Sequence, residues 1–359
     1  MTGPTTCAQA SWAVAHVTSL SEIWAIVAEH LGLVGAWQLM LVCRAACAGV
    51  MEFLGTLPCF VVCGGHTEDN EVVSDVWRLD LATMRWNTMP ALVTARSGHA
   101  CCVVRGALVV LGGEISSNDI TSSVEMLIEG QGAFKAFPSL SCGGIMDAGT
   151  VVVEEDDSTA GQVLVLGGWT DDFEQASAVH LVDVATGVCT PQPNLLQARD
   201  QFAAARLPDG CVVCVGGCGD NYVPIPSAVV LQPPVQAALD AAWTRRELPA
   251  LSAGRYGCRG CVLSDGRFAV LGGLSSNHQL LSSCETLAVD EIQHWEPMSP
   301  MHDSRNHFAC TAVAGCIIVA GGQGLKSVEV FDEVLDRWLR LPYDIPIDGG
   351  LSSMGSALL

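Results

Sequence analysis

The chain has 359 residues, 50% of them apolar, and a net charge of −21 from 38 acidic against 17 basic side chains. That negative excess argues against nucleic acid and anionic membrane as partners, and for solubility or a basic partner. No uncharged apolar run approaches the roughly 18 residues that cross a bilayer, and the first Lys or Arg is Arg44. A secretory leader is therefore not expected. The expected location is the cytoplasm or nucleus, with the 17 cysteines reduced and serving mostly as small strand hydrophobes.

Residues 1–18 read as a tail without pattern, and residues 19–55 as a helical segment with a linker. Ser19-x-x-Glu22 has the form of a capping box. Leu20, Ile23, Trp24, Ile26, Val27, His30 and Leu31 then recur at helical spacing, and Gly32 can end the helix. A second helix is expected from about Ala36 through Leu39, Val42 and Arg44 toward Gly49. Two short helices cannot bury that much apolar surface alone, so they must pack on the remaining chain or on a partner.

Residues 56–359 repeat. FVVCGG (60–65), LVVLGG (108–113), VLVLGG (163–168), VVCVGG (212–217), FAVLGG (268–273) and IIVAGG (317–322) place their first glycines 48, 55, 49, 56 and 49 residues apart. Around each lie short strands, as in RSGHACCVVRGALVVLGG (96–113), and a strand-only period near 50 points to a β-propeller with one blade per repeat. Glycine next to the axis lets the backbone pass closely, and a Trp on an outer strand can fill the wedge between blades. The first repeat lacks its own first strand; GLSSMGSALL (350–359) aligns with SGHACCVV and is expected to supply it, closing a six-bladed ring.

The repeat carries more than its glycines: Asp80, Trp86, Met89-Pro90 and Arg96; Trp243, Leu248-Pro249 and Arg255; Trp295, Met298 and Arg305; Phe331-Asp332, Trp338 and Leu341-Pro342. This resembles the kelch repeat over residues 58–359. The resemblance implies an all-β, six-bladed kelch-type β-propeller behind a short N-terminal helical segment. Blades two and three depart from the pattern, with Phe134 or Phe137 and Cys189 at the Trp position, and blade three reads as lacking the following Arg. SLSEIWAIVAEHLGLVGAWQLMLVCRAA (19–46) resembles an F-box, whose helices dock on the linker subunit of cullin–RING ubiquitin ligases while a following propeller selects the substrate. The contact residues so implied are Leu20, Ile23, Ile26, Leu31, Leu39 and Val42.

Antiparallel strands put the second-to-third and fourth-to-first connections on one face. That face should carry His66, Glu114, Trp169, Cys218, Leu274 and Gln323 after the diglycines, with Arg96-Ser97, Arg199-Asp200, Arg255-Tyr256 and Arg305-Asn306 beside them. The same positions line the peptide pocket of kelch substrate adaptors. With HTEDNE (66–71) and WTDDFE (169–174) around it, the arginine ring could hold an acidic segment; alternatively each Arg braces loop backbone through its five donors. Cys211/Cys214 and Cys258/Cys261 sit at i and i+3, on opposite sides of a strand, so no metal site is expected. The copper oxidases among kelch-type propellers need two tyrosines, two histidines and a linked Cys, whereas Tyr222, Tyr256 and Tyr343 are scattered here. No cofactor and no catalysis are expected. The expected role is a protein-interaction module, monomeric within a complex: a cullin–RING substrate receptor, or alternatively a kelch scaffold for cytoskeletal or signalling proteins with the helices only a cap. An enzyme in the propeller channel is the third reading.

Overall fold

Each apolar run that ends in Gly-Gly is the second strand of a four-stranded antiparallel sheet, with a neighbour on either side, so Phe60–Cys63, Ala107–Leu111 and Val212–Val215 are buried throughout. The computed structural model describes residues 20–116, 119–128, 130–154, 161–219, 222–234, 243–288 and 293–359, and among these five such sheets and a sixth, extended by two short strands, form a six-bladed propeller. Blade one is made of Phe60–Cys63, Val76–Asp80 and Arg85–Thr88, with Gly355–Leu358 as its innermost strand, paired Cys63 to Gly355 and Phe60 to Leu358. Cys59 and Leu359 exchange both backbone hydrogen bonds just beyond it, at 2.7 and 2.9 Å.

Around the axis the innermost strands are joined by a closed cycle of backbone bonds. Gly98 N–H donates to Ser353 O, Ser353 to His307, His307 to Gly257, Gly257 to Gln201, Gln201 to Asp147, and Asp147 back to Gly98, all between 2.7 and 3.0 Å. All six residues have positive φ, from 51° to 64°. One step outward, the second glycine of each of the first five diglycines donates to the residue that leads into the next blade: Gly65 to Arg96, Gly113 to Ile145, Gly168 to Arg199, Gly217 to Arg255 and Gly273 to Arg305. Gly322 pairs with Leu351 at the sixth seam. A Cβ on the first glycine would strike the same carbonyl, for example 2.3 Å from Ile145 O at Gly112 and 2.5 Å from Arg305 O at Gly272, so only glycine allows that approach.

Aromatic residues fill the outer seams. Trp295 and Trp338 donate their indole N–H to Pro249 O and Ser299 O of the preceding blade, at 2.7 and 2.8 Å. In blade two the wedge is filled by Phe134, buried among Val61, Val76 and Leu92 of blade one.

The helical segment differs from its expected division. Gly32, at φ 69° and ψ −174°, breaks the helix as expected, so α1 (Ser21–Leu39) is two helices joined at a kink, and α2 (Arg44–Leu54) begins only after a further turn, capped by the Cys43 side chain. The expected second helix from Ala36 toward Gly49 therefore straddles that turn. The capping box at Ser19 lies outside the described residues; the helix starts after Leu20, which makes no side-chain cap. Leu33, Val34, Val50 and Leu54 join the core of blades six and one. Leu33 N–H donates to Ala314 O of blade six, and the Trp37 indole to Leu81 O of blade one, so the hairpin spans the seam that the last strand closes.

Deleting residues 350–359 removes Ser353 from the axial cycle and leaves Phe60–Cys63 an open sheet edge. The truncated chain should aggregate or lose its cooperative melting transition. A melt matching that of the full chain would show that closure contributes little.

Candidate partner-binding face

The four arginines expected to ring the face lie inside it: Arg96 and Arg305 are fully buried, and Arg199 and Arg255 nearly so. Each guanidinium reaches into the following blade. Arg305 donates to Gly321 O at 2.6 Å, to Ser327 O and Oγ at 2.9 and 2.8 Å, and to the Glu329 carboxylate at 2.8 Å. Arg96 does the same with Gly112, Ser123 and Glu125, and Arg255 with Gly272, Ser283 and Glu285. The reading of Arg96, Arg199, Arg255 and Arg305 as partner-gripping residues is thus corrected, because their guanidiniums are buried and their terminal nitrogens donate within the fold. They rivet blade to blade: the carbonyl of each accepts from the blade before, while its side chain holds the blade after. The sequence carries a signal for this in Ser-x-Glu at 123–125, 283–285 and 327–329. Arg199 has Ser227 but Val229 at the carboxylate position, and burial lowers its pKa. Arg199 follows blade three after all; the second blade is followed by Ile145 instead, and the sixth by Leu351.

Burial pushes the Glu329 carboxyl up, but the Arg305 guanidinium and the backbone N–H groups of His302 and Asp303 outweigh it and hold the carboxyl below its ordinary value. Arg305→Met, which strands that buried carboxylate, should destabilise the chain by about 3–5 kcal/mol in chemical denaturation. Arg199→Met, which removes hydrogen bonds but strands no charge, should cost roughly 1–3 kcal/mol. Equal losses would show that the carboxylates are not what makes the rivets strong.

The remaining residues expected on the face do come together at the mouth of the axial channel. They stand in short two-residue pairings, Ser352 with His66, Ser97 with Glu114, Met146 with Trp169, Asp200 with Cys218 and Tyr256 with Leu274. Asn306 and Gln323 meet through side-chain and backbone hydrogen bonds. His66, Glu114, Trp169, Tyr256 and Gln323 reach solvent, whereas Ser97, Asp200 and Asn306 are buried beneath them. Below the mouth lies a cavity of about 160 Å3 lined by His99, Asp147, Gln201, Arg259 and Ser353. Burial pushes the Asp147 carboxyl up to about 6, although Arg259 pulls it the other way.

Gln175 and His278, which sequence reasoning passed over, and Tyr222, which it read as scattered, complete the mouth between blades three and five. Gln175 donates to Asp200 Oδ2, the Tyr222 ring lies tilted 6.4 Å from Trp169, and His278 Nδ1 meets the Tyr256 hydroxyl at 3.2 Å. None of these recurs with the repeat, so periodicity held no signal for them. Two of the three tyrosines read as scattered are therefore in neighbouring loops of one face.

Burial pushes the Asp200 carboxyl up to about 7, against the Gln175 hydrogen bond, with Asp147 adding to the rise and Trp169 opposing it. A carboxyl raised above its unfolded value binds its proton more tightly in the native state. Its contribution to stability is therefore complete below about pH 4 and is lost as pH rises through about 7. Asp200→Asn, which cannot ionise, should melt close to the parent at about pH 4 and progressively above it toward about pH 7. A gap independent of pH would refute the ionisation of this group.

The kelch motif matches residues 95–141 and 304–343. Two F-box/kelch-repeat proteins of Arabidopsis thaliana are similar in part: one is 45% identical over 56 residues, covering 14% of this chain and 15% of that protein. The other, SKIP30, is 28% identical over 127 residues, covering 31% of this chain and 36% of that protein. The alignments thus span well under half of those relatives' own lengths. The solved structure of YjhT covers 80% of this chain and 98% of its own at a TM-score of 0.62 and 12% identity, a likeness of fold alone. Motif and fold together define a six-bladed kelch-repeat β-propeller. With two helices ahead of a propeller that carries kelch motifs, the chain is similar in part to F-box/kelch-repeat proteins.

Proposed function

We propose that the chain is a substrate receptor of a cullin–RING ubiquitin ligase, with the helical segment docked on the ligase's linker subunit and the channel-mouth face holding the substrate. The observation that carries this reading is the two-sidedness of the helical hairpin. One side, with Leu33, Val34, Val50 and Leu54, is buried in the core of blades six and one. On the other side Leu20, Ile26, Leu31, Leu41 and Val42 stay exposed, Leu41 at 89%. A cap that only closed the seam would have no need of that second apolar surface, which is of the kind that partner proteins cover. Of the contact residues implied by the F-box resemblance, Ile23 and Leu39 are half-buried and the other four are exposed. The likeness to F-box/kelch-repeat proteins supports the same reading.

The full chain should co-purify with the cullin linker subunit at micromolar concentrations. Leu31→Asp with Val42→Asp, both at exposed positions, should abolish the complex without changing the melting temperature. A folded chain that forms no such complex would leave the helices as a seam clasp and the propeller as a scaffold in its own right.

A further inference from the structure

Between blades three and five the channel mouth contains a carboxylate whose bonding is incomplete. Asp200 is 1% exposed; Oδ2 accepts from Gln175, and Oδ1 has no hydrogen-bond partner. A buried acceptor left unmet is destabilising, and it marks a place where an incoming donor gains a full hydrogen bond. Around it stand aromatic rings. Trp169 pairs with Gln175, whose side chain holds Asp200, and its ring lies 6.4 Å from that of Tyr222, while Tyr256 pairs with Leu274 on the adjoining loop.

We infer that Asp200, Trp169, Tyr222 and Tyr256 form a cradle for the cationic side chain of a lysine or arginine, presented by a basic peptide segment of a partner protein. This rests on the reading of the face as the partner-binding surface and names the chemistry it selects. Ring faces attract a cation, and a carboxylate beneath them supplies the charge-assisted hydrogen bond. Among the described residues, most cations of the face are engaged elsewhere, Lys326 on the blade-six loop being the exposed exception. The four arginines of its connecting loops are turned into the seams, Arg259 in the cavity below donates to Phe308 O, and Arg340 at the edge is held by Asp303.

The surroundings extend the preference from one side chain to a segment. Asp171, Asp172 and Glu174 are exposed beside the cradle, and Glu68, Asp69, Glu71, Asp119, Asp344 and Asp348 are exposed on other loops of the same face. An acidic segment would meet like charge at each of them, and an apolar one would leave Asp200 Oδ1 unmet. A bare metal ion is poorly served, because no group of three His, Cys, Asp or Glu side chains converges among the described residues.

The test uses the full chain and two short peptides, one alternating lysine with glycine and one alternating glutamate with glycine, followed by tryptophan fluorescence and calorimetry. The lysine peptide should bind saturably and more weakly as salt rises, and the glutamate peptide should not bind. Above about pH 7, where the Asp200 carboxyl is ionised, Asp200→Asn should weaken binding roughly tenfold or more, since it removes the buried charge beneath the cation. Tyr222→Ala, at a position 65% exposed and so safe for folding, should weaken it several-fold. Unchanged affinity in both variants, or equal binding of the two peptides, overturns the cradle. Lysine-peptide binding retained in the Leu31→Asp, Val42→Asp chain supports the cradle whatever the helical segment binds. Intact binding of the linker subunit without capture of the lysine peptide overturns the cradle and leaves the receptor reading in place.

Discussion

The cycle of six backbone hydrogen bonds through Gly98, Ser353, His307, Gly257, Gln201 and Asp147 is the constraint on which this architecture depends. It requires six blades at one radius, each presenting a left-handed residue to the axis. It also requires the chain to return to its start, since Gly98 and Ser353 lie near opposite ends of the propeller sequence yet are bonded at 2.8 Å. Closure therefore joins residues that no local preference brings together, and its loss would open the sheet of blade one and the seam beside it. The diglycines serve the same end one step outward. Their first members keep clear the space in which their second members reach the neighbouring blade's carbonyl.

The buried arginines show how repetition separates structure from binding. A seam that recurs makes the same demand each time, so the residue that meets it recurs as well. Arg appears with Ser and, in three cases of four, with Glu at the next position but one. Where Ile145 and Leu351 occupy the Arg position, apolar contact takes over, and the seam at Leu351 has the helical hairpin packed across it. Binding makes no demand on all blades equally. Trp169, Asp200, Tyr222 and Tyr256 have no counterparts at matched positions, and that irregularity is what a ring must have to recognise an asymmetric partner.

The fold was legible in the chain because its determinants are local and repeated: the apolar run, the glycine pair and the outer aromatic. The face was legible too, through strand alternation, which brought Ser97, Glu114, Trp169, Asp200 and Tyr256 to one channel mouth. Direction was not. Alternation places a residue at the end of a strand but does not say whether a long side chain there points to solvent or folds back under the next blade, and all four arginines fold back. The helical segment failed to be divided correctly for a related reason. Gly32 does end the first helix, but the next turn of helix starts at once, where Leu33 N–H finds Ala314 O on blade six, and a further break before Arg44 is invisible to helical periodicity.

Turning those arginines inward also decides the electrostatics of the face. Had they pointed outward, they would have offset much of the acidic rim; buried and paired with Glu125, Glu285 and Glu329, three of them contribute almost no field outside. The carboxylates at the surface, Asp171, Asp172 and Glu174 among them, are then left without compensating charge from these arginines, in a chain already at −21. The same side chains that hold adjacent blades together thus leave the open end of the propeller acidic. Structural bracing and partner preference are coupled in one choice of rotamer, and a surface suited to cations follows from how the seams are built.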